Sequence, residues 1–166
     1  MVGQRSVEKS STQKSRRVVY SPEIGKARQT LFGEAFKRID RAISAGFHLE
    51  AIALLESLIC DRLEMAISIA IQESVSPGNL GPLLNQAKKL EIFPDEFYED
   101  MHSWRKNRNQ VMHQMVKITN EESVSWRERM KYARSTAMEG KQVLKQLQKL
   151  IAQIKKAHLR KIKIGE

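Results

Sequence analysis

HLEAIALLESLICDRLEMAISIAIQE, residues 48–73, decides the fold. Ile52, Leu55, Leu58, Ile59, Leu63, Ala66, Ile67 and Ala70 recur at steps of three and four, the period of an α-helix. They occupy more than one side of that helix, and no glycine or proline interrupts them. A helix wet only along a narrow stripe belongs at the centre of a bundle. Ser76-Pro77-Gly78-Asn79 then breaks it.

The flanking sequence supplies the partners. Upstream, Ser21-Pro22-Glu23 reads as a helix start: a capping hydroxyl, proline at the first helical position and an early acid. The helix expected from about Lys26 to Ser44 carries Leu31, Ala35, Ile39 and Ala42 on one face beside Phe32, Phe36 and Ile43, and Gly46 ends it. Downstream, a short helix is expected from Leu80 to Leu90. A fourth is expected from about Pro94 to Lys117, with Phe97, Met101, Trp104, Val111, Met112 and Met115 buried. Thr119-Asn120-Glu121-Glu122 reads as a linker. The last helix, about Val124 to Ile162, carries a seam of Trp126, Met130, Ala133, Ala137, Gly140, Leu144, Leu147, Ile151, Ile154 and His158. Its first half is small, which lets a neighbouring helix approach closely, and its bulky second half can pack in a bundle or against another chain. The fold class is all-α, a bundle of four to five helices.

Composition agrees. Among 166 residues, 8 glycines, 4 prolines and 6% aromatics are too few for the turns and strands of a sheet protein. The central charge-free apolar run, Met65 to Gln72, is far too short to span a bilayer. No apolar stretch follows the N-terminal basic residues, so no signal peptide and no membrane association are expected, and the location expected is cytoplasmic. The single cysteine, Cys60, forms no internal disulfide and no zinc site by itself.

Charge is segregated along the chain. Residues 1–30 carry a net +5, residues 31–100 a net −6 and residues 101–166 a net +11. Residues 1–20 are rich in Ser, Lys and Arg and lack an apolar period, so a flexible basic arm is expected there, before a single helical domain at 21–166. Basic charge concentrated in one segment attracts polyanions, RNA among them.

Most chemical constellations are absent or incomplete. Glu99-Asp100-Met101-His102 supplies one Glu-x-x-His spacing, but a carboxylate-bridged di-metal site needs two. Gly78 and Gly81 lack the spacing and the following Lys-Ser/Thr of a phosphate loop. Cys60, mid-helix in the most apolar segment, reads as a buried inert thiol. No metal or cofactor is expected. No helix-turn-helix spacing stands out.

One constellation remains, Arg105-Lys106-Asn107-Arg108-Asn109-Gln110-Val111-Met112-His113. With 13 Arg and 4 His, an Arg and a His separated by four to six residues is expected about once by chance. Arg41 and His48 make such a pair. Requiring Asn directly after the Arg lowers the expectation to about 0.03, and only Arg108-Asn109 with His113 satisfies it. This motif, late in a small helical chain with one long helix after it, resembles the HEPN superfamily. The Leu- and Glu-rich FHLEAIALLESLICDRLEMAI adds a similar texture, and the likeness spans roughly residues 27–160.

The resemblance implies a HEPN-like bundle and a metal-independent endoribonuclease, of the kind that serves as a toxin or phage-defence effector. It implies a homodimer with two motifs facing one cleft, RNA as substrate, and an antitoxin or regulatory protein as a further partner. His113 would be the acid/base, Arg108 the phosphate ligand and Asn109 the orienting amide, with Arg105 and Lys106 as RNA contacts. The residue types suit the chemistry: His titrates near ~6.5 and the Arg fork matches phosphate oxygens. Arg108 and His113 stand about 140° apart on a regular helix, so either the helix is irregular there or a second protomer completes the site; the resemblance implies the second. Where some HEPN toxins carry a modified Tyr, two residues after the His, this chain has Met115. Control by that modification is not expected here. Other HEPN domains are inactive docking modules, which is the alternative implied for this one.

The arm yields a first test. Deleting residues 1–20 should preserve a cooperative thermal transition, because they carry no apolar face. It should also weaken RNA binding and flatten its salt dependence, since five basic residues leave with one acid. Loss of the cooperative melt would place the arm in the folded core.

Overall fold

The computed structural model describes residues 22–117 and 124–164. They form five helices: α1 (Pro22–Ala45), α2 (His48–Ile71), α3 (Leu80–Lys89), α4 (Asp95–Gln114) and α5 (Trp126–Ile164). There is no strand among the described residues. The expected arm at 1–20 and the linker at 119–122 lie outside them.

The chain's punctuation sets the ends. Gly46 adopts φ +84°, which only glycine reaches without strain. Its N–H bonds the Ile43 carbonyl at 3.2 Å, and Phe47 N–H bonds Ala42 at 2.8 Å, the paired bonds of a Schellman stop. Gln72, at φ 57°, closes α2 in the same left-handed region. Pro94 takes the N-cap of α4 in extended conformation, with Asp95 and Glu96 in the first turn against the positive end of the helix dipole.

Helix α2 is the centre. It packs on α1, α3, α4 and α5, most extensively on α5. Ile52, Leu55, Ile59, Leu63, Ala66 and Ile67 are fully buried, while Ala70 is exposed near the helix end. Around it, Ile39 and Ala42 of α1, Leu83 and Leu84 of α3, Phe97 and Met101 of α4, and Leu144 and Leu147 of α5 close one continuous core. Helix α4 is held at its start by Phe93, Phe97 and Tyr98, with ring centroids of Phe93 5.0 and 6.0 Å from the other two. Farther along, Trp104 is fully buried and donates its indole N–H to the Thr136 carbonyl of α5 at 3.0 Å. Gly140 makes this possible: a Cβ there would lie 2.5 Å from the indole nitrogen.

Besides Ala70, three positions expected inside are outside. Leu31 is 66% exposed, Met112 40% and Trp126 60%. Helix phase explains the first two. Phe32 is about 20° from Ile39 around α1, whereas Leu31 is about 80° away. Val111 is likewise about 20° from Trp104 around α4, and Met112 about 80°. Trp126 lies on the seam's own face but in the first turn of α5, where no described residue covers it.

Gly140→Ala tests the α4–α5 contact. Alanine gains about 1 kcal/mol over glycine in a helix. Three atoms of a rigid buried ring stand within 2.9 Å of the new methyl, however. Overpacking of this kind costs up to ~3 kcal/mol. A net loss of about 2 kcal/mol should appear in urea denaturation, and a stabilised variant would show that the helices separate freely.

Candidate functional site

The phase of Trp104 dictates what the rest of α4 presents. Taking the buried indole as the inward direction, Arg108 is about 40° from it, Arg105 about 100°, Asn109 about 140°, and His113 about 180°. The exposures follow. Arg105, Asn107, Arg108 and Asn109 are half-buried, and Lys106 and His113 are exposed.

Arg108 reaches α2. Its Nη2 forms an ion pair with Glu56, their side chains 21% and 25% exposed. Its Nη1 donates to the Asn109 Oδ1 at 2.5 Å. The buried Nε has no hydrogen-bond partner among the described residues. Burial lowers the Arg108 pKa from its ordinary value, but a guanidinium starts so high that it stays charged. The cleft beside it, about 470 Å³, is lined from α2 by Glu56, Cys60, Asp61 and Glu64 and from the start of α3 by Asn79 and Leu80. Glu64 accepts the Gly78 N–H at 2.9 Å, yet desolvation still raises its pKa. Glu56 is the ion-pair partner that sequence periodicity missed. Helix α2 also carries Glu50, Asp61 and Glu64, and nothing in the spacing of these acids singles out Glu56.

The other candidates diverge. Asn109 spends its carbonyl oxygen on Arg108, which leaves its amide N–H for any partner toward His113. His113 makes no hydrogen bond or ion pair among the described residues. Arg105 lies over Gly81 in the first turn of α3, where a Cβ would meet its guanidinium at 2.7 Å. Lys106 faces solvent. Arg108 and Asn109 are therefore hydrogen-bonded, and among the described residues no hydrogen bond joins either to the His113 side chain, one turn beyond Asn109. The competing pair is split differently: Arg41 is exposed while His48 is buried at the start of α2, its pKa lowered by desolvation and then by the Arg134 charge.

The opposite flank of α4 is pinned to α5. Asn107 donates to Glu139 at 3.0 Å and accepts from the Tyr132 hydroxyl at 3.0 Å. Arg129 caps the end of α4 through the carbonyls of Gln114 and Lys117, the second at 2.7 Å. Between these contacts is a hollow of about 330 Å³, mostly apolar, lined by Val111 and Met115 on one side and Val124 and Tyr132 on the other. Among the described residues, no three of His, Cys, Asp and Glu converge as metal ligands, Glu99 and His102 included. Among the described residues, no helix is long and apolar enough to cross a membrane. No family model, curated protein or solved structure matches the chain.

Cys60 gives a pH test. Desolvation, with Glu64 adding its charge, pushes the thiol up to about 11 from 9.0. The thiolate is the reactive form. Iodoacetamide should therefore alkylate Cys60 about a hundredfold more slowly at pH 8 than a thiol at the ordinary value, and the rate should keep rising toward pH 11. A plateau below pH 9 would mean an activated cysteine.

Proposed function

We propose that this chain is a HEPN-type ribonuclease domain that cleaves RNA through its own 2′-hydroxyl, at a site completed by a second copy. The observation that carries the reading is the division of labour on α4. Arg108 is fixed in orientation by Glu56 and Asn109, whereas His113, on the opposite side of the same helix, is open to solvent. Phosphate recognition needs the first condition and proton transfer to a large substrate needs the second. One protomer offers the two groups to different directions, so a two-fold placing α4 against its copy would let each His113 face an Arg108 across the interface. Met112 and Val116 flank His113 with exposed apolar surface, 40% and 84% open, which suits self-association.

In the reaction, His113 takes the 2′-hydroxyl proton or gives one to the departing 5′-oxygen, and Arg108 balances charge on the crowded phosphate. The 2′-oxygen–phosphorus bond forms as the phosphorus–5′-oxygen bond breaks, leaving a 2′,3′-cyclic phosphate. Such a domain would act as a toxin or defence effector in the cytoplasm, restrained by an antitoxin or regulatory protein. A second reading, a non-catalytic module that docks RNA or protein, is favoured by one contact. Glu56 neutralises Arg108 within the protomer.

The test is a labelled RNA incubated with wild type, His113→Ala, Arg108→Ala and Arg41→Ala, with and without EDTA. Cleavage should persist in chelator, because proton transfer and charge balance are all this mechanism asks. DNA should be spared, and products should end in cyclic phosphate. His113→Ala should lower the rate by about 10²–10⁴. Arg108→Ala should also impair it, and Arg41→Ala should not. Light scattering should give twice the 19.1 kDa chain mass. Cleavage indifferent to His113→Ala rules the mechanism out, and a purely monomeric protein rules out the shared site.

A further inference from the structure

The outer side of α5 carries a row of cations that the bundle does not use. Measured around the axis from Lys145, the first turns contribute Arg127, Lys131 and Arg134, and the later ones Lys149, Lys156 and Arg160. Together with Lys145 they fall within an arc of about 80°. All of them are exposed. The arc lies almost opposite Leu144, Leu147 and Ile151, which are buried in the core. From Arg127 to Arg160 it runs about 50 Å along the helix. Only Met138, Gln142 and Ala152 interrupt it, and it holds no acid and no aromatic side chain.

The flanks of α5 spend their charge on the protein. Its two acids, Glu128 and Glu139, stand outside the arc by about 40° or more. Glu128 accepts from the Ser125 hydroxyl at 2.7 Å, and Glu139 accepts from Asn107 at 3.0 Å. At the other edge Lys141 turns to Asp40. No cation of the row joins an ion pair among the described residues.

A merely solvated helix face intersperses the two signs, and like charges three or four residues apart destabilise a helix. Arg127–Lys131, Lys131–Arg134, Lys145–Lys149 and Lys156–Arg160 are all such pairs. A polyanion laid along the row turns each repulsion into attraction. Residues four apart stand about 6 Å apart along the axis, close to the step between phosphates of an extended strand. A flexible single strand can follow a straight row, whereas the phosphates of a duplex wind away from it. Without aromatic side chains there is no platform on which bases could stack. Contact is then with the backbone alone, which carries no sequence information. A lipid surface fits less well, because the apolar residues α5 would insert are in the core.

We infer that the outer face of α5 is a track for the backbone of a single-stranded polynucleotide, indifferent to base and to the 2′-hydroxyl. This goes beyond the proposed function, because DNA, which a 2′-hydroxyl mechanism cannot cut, should bind here as RNA does. Its test uses strands that resist such cleavage, so it succeeds or fails separately from the catalytic reading.

The experiment is fluorescence anisotropy of the full chain with a labelled thymidine oligomer of about ten nucleotides, enough for a row of about 50 Å. The same measurement is made with a 2′-O-methyl uridine oligomer, a DNA duplex of equal length, and vesicles of phosphatidylserine and phosphatidylcholine. The two single strands should bind with similar affinity, and more tightly than the duplex. Lys145→Gln with Lys149→Gln, and Lys156→Gln with Arg160→Gln, should each weaken binding. Each pair should flatten the log–log salt slope by about 1.4, or about 0.7 per cation lost. Glutamine matches lysine closely in helix propensity, so both variants should keep the wild-type melt. Lys88→Gln with Lys89→Gln removes the same charge from exposed sites on α3, which does not pack on α5, and should leave the slope unchanged. Equal flattening there would mean a diffuse field and overturn the track, as would α5 variants that bind like wild type. Absence of binding by either single strand at low salt overturns it as well. Preference for the 2′-O-methyl strand over DNA overturns the indifference to sugar, and tighter binding of the duplex overturns the single-strand assignment. Vesicle binding lost in the α5 variants, with no oligonucleotide bound, would make this face a lipid contact instead.

Discussion

The approach of Trp104 to Gly140 governs the rest of the arrangement. A buried indole has little rotational freedom, and its N–H must find an acceptor. Here the acceptor is the Thr136 carbonyl on the adjoining helix, reached only because residue 140 has no side chain. Once that ring is seated, helix phase leaves no choice for its neighbours. Arg108 must point toward α2 and His113 must point away from the core. The chemistry open to α4 is thus a consequence of core packing, with the two polar groups separated by the same rotation that buries the tryptophan.

Charge segregation along the sequence is partly undone in three dimensions. The acidic central segment supplies Asp40 to Lys141 and Glu56 to Arg108, so cations of the basic C-terminal segment are met by acids of the middle. Lys141 is further held over the Phe36 ring at 5.4 Å. Other cations of that segment stay exposed along α5, among them Lys145, Lys149, Lys156 and Arg160.

Helix order and helix ends were legible in the sequence because local chemistry determines them. Gly46, Pro77-Gly78 and Pro94 interrupt any helix, whatever it packs against. The apolar faces were legible to within one residue, which is why Leu31 and Met112 were misplaced while Phe32 and Val111 came out inside or half inside. A step of one residue is about 100°, and periodicity alone does not resolve it when two apolar residues are adjacent. The motif residues Arg108, Asn109 and His113 could be picked out, but the partners of Arg108 in space could not. Glu56 is 52 positions away in sequence, and only the packing of α4 on α2 brings the two together.

The 39-residue α5 serves several places in turn: Arg129 at the end of α4, Gly140 under the indole, Leu144, Leu147 and Ile151 in the core. Because the helix is continuous, substitution and change of length are different kinds of lesion in it. An exchange on its outer face alters one side chain. Loss of a single residue between Gly140 and Ile151 turns everything beyond it by about 100° and draws it back by about 1.5 Å. Ile151 would leave the core, while the indole stayed seated. The spacing between those features is therefore counted in whole residues, and this helix tolerates neither insertion nor deletion along that stretch.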